Sequence, residues 1–261
     1  MSLDQPSDFV KHQTLTRDAF LTGRLVVSQP SHGFRAGLDS VLLGASVVTD
    51  NATLLDLGSG VGVASLVALS HNGGLHATLA ENNADMAVLA RENLTGNGFE
   101  RRASVIELDV TAKGAVRDVA GLRTDHYESV IANPPFFGRE SGTNPGDKGR
   151  ANARHMAEGA LDLWIKTAAA AAAPGGEIIF IHTIEALPQL LAGFDARFGG
   201  ITVLPVAARM GEAAMRVMIR GIKASRAPMR LLSPFVLHEA EGRDFRADAD
   251  AIFRGTGRLD W

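Results

Sequence analysis

The chain has 261 residues, of which 46% are hydrophobic and 21% charged, and its formal net charge is -3. This balance is typical of a globular protein and argues against a disordered or fibrous chain. The absence of cysteine excludes disulfide bonds, cysteine-ligated zinc, iron–sulfur clusters and thiolate nucleophiles. Because the sequence shows neither a long apolar run nor a secretory leader, we expect a cytoplasmic protein without a membrane span.

The first 50 residues combine a polar start with short apolar stretches and a turn-rich passage from Gln29 to Arg35. An amphipathic helix is predicted from Asp39 to Val48, with the Asp39 side chain as its N-terminal cap. From Thr53 onward the pattern becomes regular, so residues 1–50 are treated as an N-terminal segment.

Beyond this segment, short apolar runs alternate with stretches of helical spacing. Strands that alternate with helices of this length indicate parallel pairing through right-handed crossovers. Between the fourth strand and the next helix, residues 137–153 are rich in glycine, proline and serine, and we expect a long loop that acts as a substrate lid. The pattern predicts helices over 61–69, 85–93 and 161–173 and strands over 53–57, 76–81, 103–108, 127–132, 177–181, 201–206 and 215–222.

A glycine-rich loop follows the first core strand, with Asp56 two positions before Gly58 and further glycines at Gly60 and Gly62. Glycines there let the backbone turn sharply and approach a ligand closely at a helix N-terminus. The dinucleotide fingerprint requires its third glycine at position 63, where this chain has Val63. The spacing instead resembles the S-adenosylmethionine loop of Rossmann-like methyltransferases, although a tight turn without ligand remains an alternative.

Two acidic residues stand at the ends of the next two strands. Glu81 is placed to accept hydrogen bonds from both ribose hydroxyls, and Asp109 to accept one from an adenine amino group. Each alone is also compatible with a helix cap or a turn. Because the carboxyl ends of parallel strands meet at one edge of the sheet, the two acids and the glycine loop predict a single ligand crevice.

The fourth strand ends in Asn133-Pro134-Pro135-Phe136. The Asn133 side-chain carbonyl and the Pro134 backbone carbonyl are two acceptors whose separation the prolines restrict, so they suit the two N–H groups of a planar amine. Phe136 is placed to stack on the planar target. A rigid turn without catalytic function is the alternative.

Together these motifs resemble the Asn-Pro-Pro-aromatic class of S-adenosylmethionine-dependent N-methyltransferases, over roughly residues 15–225. The segment from Gly33 to Leu43 is similar to that of the bacterial valine-tRNA adenine-N6 methyltransferases. The resemblance implies S-adenosylmethionine as the cofactor, with Gly37 and Asp39 near its methionine end. Asn133 would also contact the cofactor site, and the acceptor would be adenine in tRNA.

The resemblance also implies a Rossmann-like class I methyltransferase fold, an α/β architecture with helices on both faces of a seven-stranded, mostly parallel sheet whose last strand is antiparallel. Residues 1–50 would pack over the cofactor site, residues 51–225 would form the core, and residues 226–261 would form a C-terminal extension. The eight histidines are scattered, so no catalytic metal is expected. The oligomeric state is left open.

Basic residues near the pocket are expected to bind the RNA, with Arg226 and Arg230 as an outer rim. Three alternatives remain: methylation of a glutamine amide in a translation factor, a small-molecule O-methyltransferase, and a non-catalytic RNA-binding module. The O-methyltransferase is disfavoured because a hydroxyl has only one hydrogen for the two acceptors. The residues expected beside the pocket are Arg139, Lys148, Arg150 and Arg154.

Overall fold

In the computed structural model, residues 14–33, 35–48, 50–135 and 147–261 are described, and for residues 147–158 only the backbone is described. The strands are β1 (Leu15–Phe20), β2 (Leu25–Pro30), β3 (Thr53–Leu57), β4 (His76–Glu81), β5 (Ala103–Glu107), β6 (Tyr127–Ala132), β7 (Ala172–Thr183), β8 (Phe198–Ala207), β9 (Arg216–Lys223), β10 (Arg230–Leu231) and β11 (Phe235–Val236). The α-helices are α1 (Leu38–Ala45), α2 (Val63–His71), α3 (Ala84–Gly96), α4 (Gly114–Val119), α5 (Asp147–Ala171), α6 (Leu187–Asp195) and α7 (Ala247–Phe253).

The central sheet has the strand order β10-β8-β9-β7-β6-β3-β4-β5, and β11 also pairs with β8. Neighbouring strands from β5 to β7 pair in parallel, whereas β9 is antiparallel to both β7 and β8. The short connection from β8 to β9 accounts for this reversal, because only antiparallel neighbours can be joined without a long crossover. The predicted fold is therefore confirmed, and β10 and β11 are short additions to its edge.

Both faces of the sheet are covered by helices. Adjacent residues of β3 point to opposite sides, so Leu54 belongs to the apolar cluster under α1 and α2 while Leu55 belongs to the cluster under α5 and α6. Ile179 and Ile178 of β7 divide in the same way, and all four side chains are fully buried. The sheet faces are thus filled by packing, which leaves the strand ends as the places where polar side chains can meet a ligand.

Among the predicted element boundaries, those at the starts of α1 and α5 are wrong. Helix α1 begins at Leu38 without a side-chain cap, and Asp39 instead pairs with Arg216 of β9, Oδ2 to Nε, at 2.9 Å. Helix α5 begins at Asp147, so the last residues of the expected loop 137–153 are helical. The alanine-rich sequence favours this extension because alanine has the highest helix propensity. Residues 136–146, which contain the rest of the expected lid, lie outside the described residues.

The described parts of the two terminal segments contact each other and the core. The β1–β2 hairpin rests on α3, where Asn93 Oδ1 accepts a hydrogen bond from Ser28 N–H at 2.8 Å. The C-terminal segment holds the end of α1, because Leu259 N–H donates to the Ala45 carbonyl at 3.2 Å. Arg24 of the hairpin donates to the Gly255 carbonyl at 2.6 Å. The C-terminal extension thereby braces the N-terminal segment.

A buried carboxylate joins β7 to its neighbours. Glu177 is 2% exposed, and its Oε2 accepts a hydrogen bond from Arg220 Nε of β9 at 2.8 Å. Its Oε1 accepts hydrogen bonds from Ser129 Oγ at 2.7 Å and from Val48 N–H at 3.0 Å. Trp261 lies over the Arg220 guanidinium, 5.9 Å from ring centroid to Cζ. The Glu177 carboxylate therefore ties together β6, β7, β9 and the chain after α1.

We expect Glu177→Ala to lower the free energy of unfolding by about 3–5 kcal/mol, because it leaves a partly buried arginine without its counter-charge. Urea unfolding measures the change. The matched control is Glu107→Ala, which removes an exposed carboxylate paired with Arg91 and should cost at most about 1 kcal/mol. Equal effects of the two substitutions would contradict a structural role for the buried pair.

Candidate functional site

A cavity of about 640 Å³ opens at the carboxyl edge of the sheet, over the ends of β3, β4, β5 and β6. Its volume is in the range typical of small-molecule sites. The turn-rich passage and α1 cover one side, and the second half of α5 covers the other. The cavity is lined by Pro30, His32, Gly33, Ala36, Ser40, Leu43, Asp56, Gly58, Ser59, Gly60, Val61, Ala64, Glu81, Asn82, Asn83, Met86, Leu108, Asp109, Val110, Thr111, Asn133, Pro135, Ala160 and Trp164.

The glycine loop forms one wall of this cavity. Gly58 has a φ of 66°, and a Cβ there would lie 2.3 Å from Cη2 of Trp164, so only glycine allows α5 to pack this closely. Gly60 has a φ of 56° and has no atom within 4 Å of the position of a Cβ. Its backbone therefore borders open space. Gly62 does not line the cavity.

Glu81 at the end of β4 is fixed by two backbone groups of the cavity wall. Its Oε2 accepts a hydrogen bond from Gly60 N–H and its Oε1 one from Asn83 N–H, both at 2.8 Å. The residue is 7% exposed, and each carboxylate oxygen retains a lone pair for a ligand. Glu81 thus holds the glycine loop against α3 while presenting a carboxylate to the cavity.

Asp56 at the end of β3 is a buried carboxyl group beside Glu81. Burial raises the pKa of Asp56 to about 7, the hydrogen bond from Ser65 Oγ at 2.8 Å opposes the rise, and the Glu81 carboxylate adds to it. Near neutral pH this group is therefore balanced between its two protonation states. A cation in the cavity would favour the ionised state.

Asp109, beyond the end of β5, lines the cavity but also closes a turn. Its Oδ1 accepts hydrogen bonds from Thr111 N–H at 2.8 Å and from Thr111 Oγ1 at 2.7 Å. The local turn that was the alternative for this residue is therefore present. Within the described residues its Oδ2 has no hydrogen-bond donor, so that oxygen remains for a ligand.

Asn133 and Pro135 follow β6 and line the same cavity. The Asn133 Oδ1 is buried, yet it accepts no hydrogen bond from the described residues, and the same holds for Ser59 Oγ. Leaving a buried acceptor unsatisfied costs about 1–3 kcal/mol, so such groups call for an explanation. Pro134 is buried, and Phe136 lies outside the described residues.

Several predicted site residues lie elsewhere. Neither Gly37 nor Asp39 lines the cavity, although Ala36 and Ser40 next to them do. Asp39 is paired with Arg216. Arg139 lies outside the described residues, and no side chain is described for the helical residues at 148, 150 and 154.

The expected outer rim of basic residues is misplaced. Strand β9 runs from the cavity edge of the sheet to the opposite edge, so the chain after Lys223 emerges far from the crevice. There the Ala227 carbonyl accepts a hydrogen bond from Gly200 N–H near the start of β8, at 2.8 Å. The prediction that Arg226 and Arg230 rim the pocket is wrong because it did not account for the direction of β9.

Sequence reasoning missed Trp164, whose indole packs on Gly58 and lines the cavity. Its contact with the loop depends on tertiary packing, and no local pattern marks it. Among the described residues, no group of three or more histidines, aspartates or glutamates is arranged to hold a metal ion. The described helices include none that is long and apolar enough to cross a membrane.

Comparison with known proteins matches residues 38–187 to the family described as Methyltransferase small domain. A tRNA1(Val) (adenine(37)-N6)-methyltransferase from Tolumonas auensis is 26% identical over 64% of this chain, and one from a Flavobacteriaceae bacterium is 30% identical over 63%. The chain spans 66% of the length of each of these two relatives.

Two solved structures are also similar. A predicted O-methyltransferase, protein Atu636 from Agrobacterium tumefaciens, is 30% identical with a TM-score of 0.72, over 85% of this chain and 98% of its own. The 16S rRNA N2 G1207 methyltransferase from T. thermophilus, in complex with AdoMet and guanosine, is 17% identical with a TM-score of 0.54, over 80% of this chain and 50% of its own. The latter similarity supports the fold alone.

The raised pKa of Asp56 makes the stability of the protein depend on pH. The pKa of Asp56 is about 7 in the folded protein and 3.8 in the unfolded chain, so the folded protein binds the proton more tightly. The stability that this proton contributes is fully present below pH 3.8 and is lost as the pH rises to 7. Asparagine does not titrate, so Asp56→Asn should not show this loss. Between pH 5 and 7, we expect the free energy of unfolding of the native chain to fall by about 1 kcal/mol per pH unit relative to that of Asp56→Asn. Urea unfolding at several pH values measures it.

The Ser65→Ala variant provides a second comparison. Without the Ser65 hydroxyl, the ionised form of Asp56 loses a hydrogen bond, so the pKa of Asp56 should rise further. The free energy of unfolding of this variant should therefore continue to fall above pH 7. A stability difference between Asp56→Asn and the native chain that stays constant with pH would contradict the buried, proton-binding state of Asp56.

Proposed function

Because the chain belongs to the Methyltransferase small domain family, we propose that it transfers a methyl group from S-adenosylmethionine to the N6 amino nitrogen of adenine in tRNA. The methyltransferase activity and its cofactor follow from the family and the fold. The identity of the methyl acceptor, adenine in tRNA, goes beyond what the family and the fold imply. It is supported by the names of the curated relatives and, in the molecule itself, by the unsatisfied Asn133 Oδ1 at the crevice.

We assign the cofactor to the cavity over β3, β4 and β5. The residues present fit it, because the Glu81 carboxylate is held rigidly toward the space, Gly60 leaves room for close approach and Ser59 Oγ lacks a partner within the described residues. The neighbouring Asp56 and Glu81 carboxyls complement the positive charge of the cofactor. When bound, S-adenosylmethionine supplies the electrophilic methyl group on its sulfonium.

The two tryptophans offer an optical probe of this cavity. Trp164 lines the cavity, whereas Trp261 lies outside it, against Arg220. In a Trp261→Phe background, the tryptophan fluorescence therefore comes from Trp164 alone. A change on addition of S-adenosylhomocysteine would then report occupation of the cavity, and Trp164→Phe should lack the signal.

We expect Glu81→Ala to weaken S-adenosylhomocysteine binding by about 1–3 kcal/mol, since it removes a charged acceptor and releases Gly60 N–H. The Trp164 fluorescence titration measures this affinity, with Glu107→Ala, an exposed acid outside the cavity, as the matched control. Unchanged affinity in Glu81→Ala, or equal losses in both variants, would contradict the assignment.

The acceptor amine is assigned to Asn133 and Pro134. The Asn133 Oδ1 and the Pro134 carbonyl accept its two hydrogens and so draw the nitrogen lone pair toward the methyl group. This arrangement positions and polarises the nucleophile, and the proton leaves after transfer, so no carboxylate base is needed. Phe136 is proposed to stack on the base.

RNA contacts are assigned to Arg139, Lys148, Arg150 and Arg154. Three of these residues belong to the first half of α5, and the same helix continues to Ala160 and Trp164 in the cavity wall. The continuity of this helix supports the assignment of Lys148, Arg150 and Arg154. Phosphate contacts of this kind give binding that weakens steeply with salt.

Small-molecule O-methylation is the second candidate, and the name of the Agrobacterium relative favours it. A hydroxyl, however, has one hydrogen and would leave one of the two acceptors after β6 unsatisfied. Methylation of a glutamine amide would use the same two acceptors as adenine, so only the choice of acceptor molecule separates those two functions.

We expect labelled methyl groups from S-adenosylmethionine to enter tRNA when the protein is given tRNA, rRNA and protein pools separately. In Asn133→Ala the transfer rate should fall by about two to three orders of magnitude, because one preorganised acceptor is lost. The affinity for S-adenosylhomocysteine should change little.

The matched control is Asn97→Ala, which removes the asparagine directly after α3. Its Oδ1 accepts a hydrogen bond from Val26 N–H of the hairpin, outside the cavity. This variant should retain most of the transfer rate. Label entering only protein would favour glutamine-amide methylation, and full activity of Asn133→Ala would contradict the assigned grip on the amine.

A further inference from the structure

A second cavity, of about 390 Å³, lies at the amino edge of the central sheet, at the starts of β3, β4, β5 and β6. We call it the amino-edge groove, and it is lined by residues 53, 76–78, 100–104, 123, 126 and 127. None of these residues lines the crevice. The five residues of β3 separate the two cavities by about 17 Å, at about 3.3 Å per residue. The groove is therefore distinct from the site assigned to methyl transfer.

The floor of the groove is polar, although the same face of the sheet is apolar farther along the strands. Leu55 and Ala80 of that face belong to the apolar cluster under α5. Because side chains alternate along a strand, Thr53 and Thr78 point to the same side as these two residues. Ser104 stands beside Thr78 in the register of β4 and β5. The floor thus carries hydroxyl groups where the rest of the face carries apolar side chains.

Two of these hydroxyls are available to a ligand. Thr53 Oγ1 already donates a hydrogen bond to the His126 carbonyl, at 3.3 Å. The hydroxyls of Thr78 and Ser104, in contrast, form no hydrogen bond with the described residues. Helix α4, which connects β5 to β6, has six residues and none of them is buried, so it covers little of the sheet. The floor consequently remains accessible from the groove.

Two exposed arginines stand at the rim of the groove, Arg101 before β5 and Arg123 before β6. Neither belongs to an ion pair among the described residues. Arg123 Nη1 donates a hydrogen bond to His126 Nε2 at 2.9 Å, which orients its guanidinium at the groove. Arginine has no acceptor, so His126 is neutral in this contact and carries its proton on Nδ1. The rim therefore offers two guanidinium groups whose charges are not neutralised.

The groove is electropositive within a chain whose net charge is -3. A third arginine, Arg102, belongs to its wall, where its guanidinium is fixed on backbone carbonyls of the chain after α2. Among the described residues that line the groove, Glu100 is the only acidic one. The nearby Asp125 and Glu128 do not line it, because Asp125 pairs with Lys223 and Glu128 accepts a backbone hydrogen bond just before β3. An anion would therefore meet more positive than negative charge there.

The donors of the groove suit a phosphate group. A phosphate presents several oxygen acceptors around one centre, so it can be bound from the rim and from the floor at the same time. Guanidinium groups match its geometry with paired N–H donors, and hydrogen bonds of this charged kind are about twice as strong as neutral ones. Hydroxyl groups donate to the remaining oxygens.

We propose that the amino-edge groove binds a phosphate group, with Arg101 and Arg123 paired to its oxygens and the hydroxyls of Thr78 and Ser104 donating to it from the floor. The site stands apart from the proposed function, because it requires neither the cofactor nor the methyl acceptor. A free phosphate compound and the backbone of an RNA share this chemistry, and binding measurements with the two probes separate them.

The first test titrates the whole protein with inorganic phosphate, against sodium chloride of equal ionic strength, and follows the histidine ring signals in ¹H–¹³C spectra at constant pH. The signals of His76 and His126, each identified by its loss in the variant with glutamine, should shift and saturate with phosphate. The signal of His71, which lies on α2 outside both cavities, should not shift. Equal shifts with chloride, or no saturating shift at His76 and His126, would overturn the proposal.

Variants locate the bound phosphate. We expect Arg101→Gln and Arg123→Gln each to weaken phosphate binding by about three- to tenfold, since each removes a charged donor at a partly solvated site. Thr78→Val keeps the shape and the net charge but lacks the hydroxyl, and it should weaken binding by about threefold. The matched control is Arg226→Gln, which removes an exposed arginine outside both cavities and should change the affinity less than about twofold. Equal losses in Arg101→Gln and Arg226→Gln would overturn the proposal.

The source of the phosphate follows from binding of labelled tRNA to the same variants, measured at several salt concentrations without S-adenosylmethionine. If RNA supplies the phosphate, Arg101→Gln should weaken tRNA binding more than Arg226→Gln and flatten the salt slope by up to about one unit. If a free phosphate compound is the ligand, the two variants bind tRNA equally and differ for inorganic phosphate alone. Both results support the groove as a phosphate site, whereas variants that are equal with both probes would overturn it. Neither probe requires methyl transfer, so a failure of the proposed function leaves these results intact.

Discussion

The structure depends on the burial of both faces of the central sheet. The middle strands β3, β6 and β7 are packed between helices on either side, with adjacent residues alternating between two apolar clusters. A parallel sheet covered in this way can present polar groups only at its strand ends. The glycine loop, Glu81 and Asn133 consequently share one crevice, although they are far apart in the sequence. The chemistry proposed for this protein takes place at that edge.

The groups at the edge are held by the backbone. Glu81 is fixed by two N–H groups and Asp109 by the turn to Thr111, so each keeps part of its accepting capacity for a ligand. Asn133 differs from them, because its Oδ1 has no donor among the described residues. Ser59 Oγ in the glycine loop also lacks a partner among the described residues. The crevice therefore combines carboxylates that the backbone fixes with two buried polar atoms whose hydrogen bonds a ligand would have to supply.

Local sequence signals were sufficient for the fold and for the position of the crevice. Alternating apolar runs indicated the strands, and glycine and acidic residues at their ends indicated the crevice, because both depend on periodicity along the chain. Contacts between distant residues gave no such signal. Asp39 was expected to cap α1 and instead meets Arg216, and Trp164 reaches Gly58 only through the packing of α5. The placement of Arg226 was missed because it depends on the direction of β9 in the sheet.

The central claim is that the crevice methylates an adenine amino nitrogen, and the chemical identity of the product tests it most directly. The native protein is incubated with tRNA and S-adenosylmethionine that carries a deuterated methyl group, and the tRNA is then digested to nucleosides for mass spectrometry. The account predicts N6-methyladenosine that contains the deuterated methyl group. A deuterated methyl group on a ribose hydroxyl or on another base, or unmodified tRNA, would contradict it.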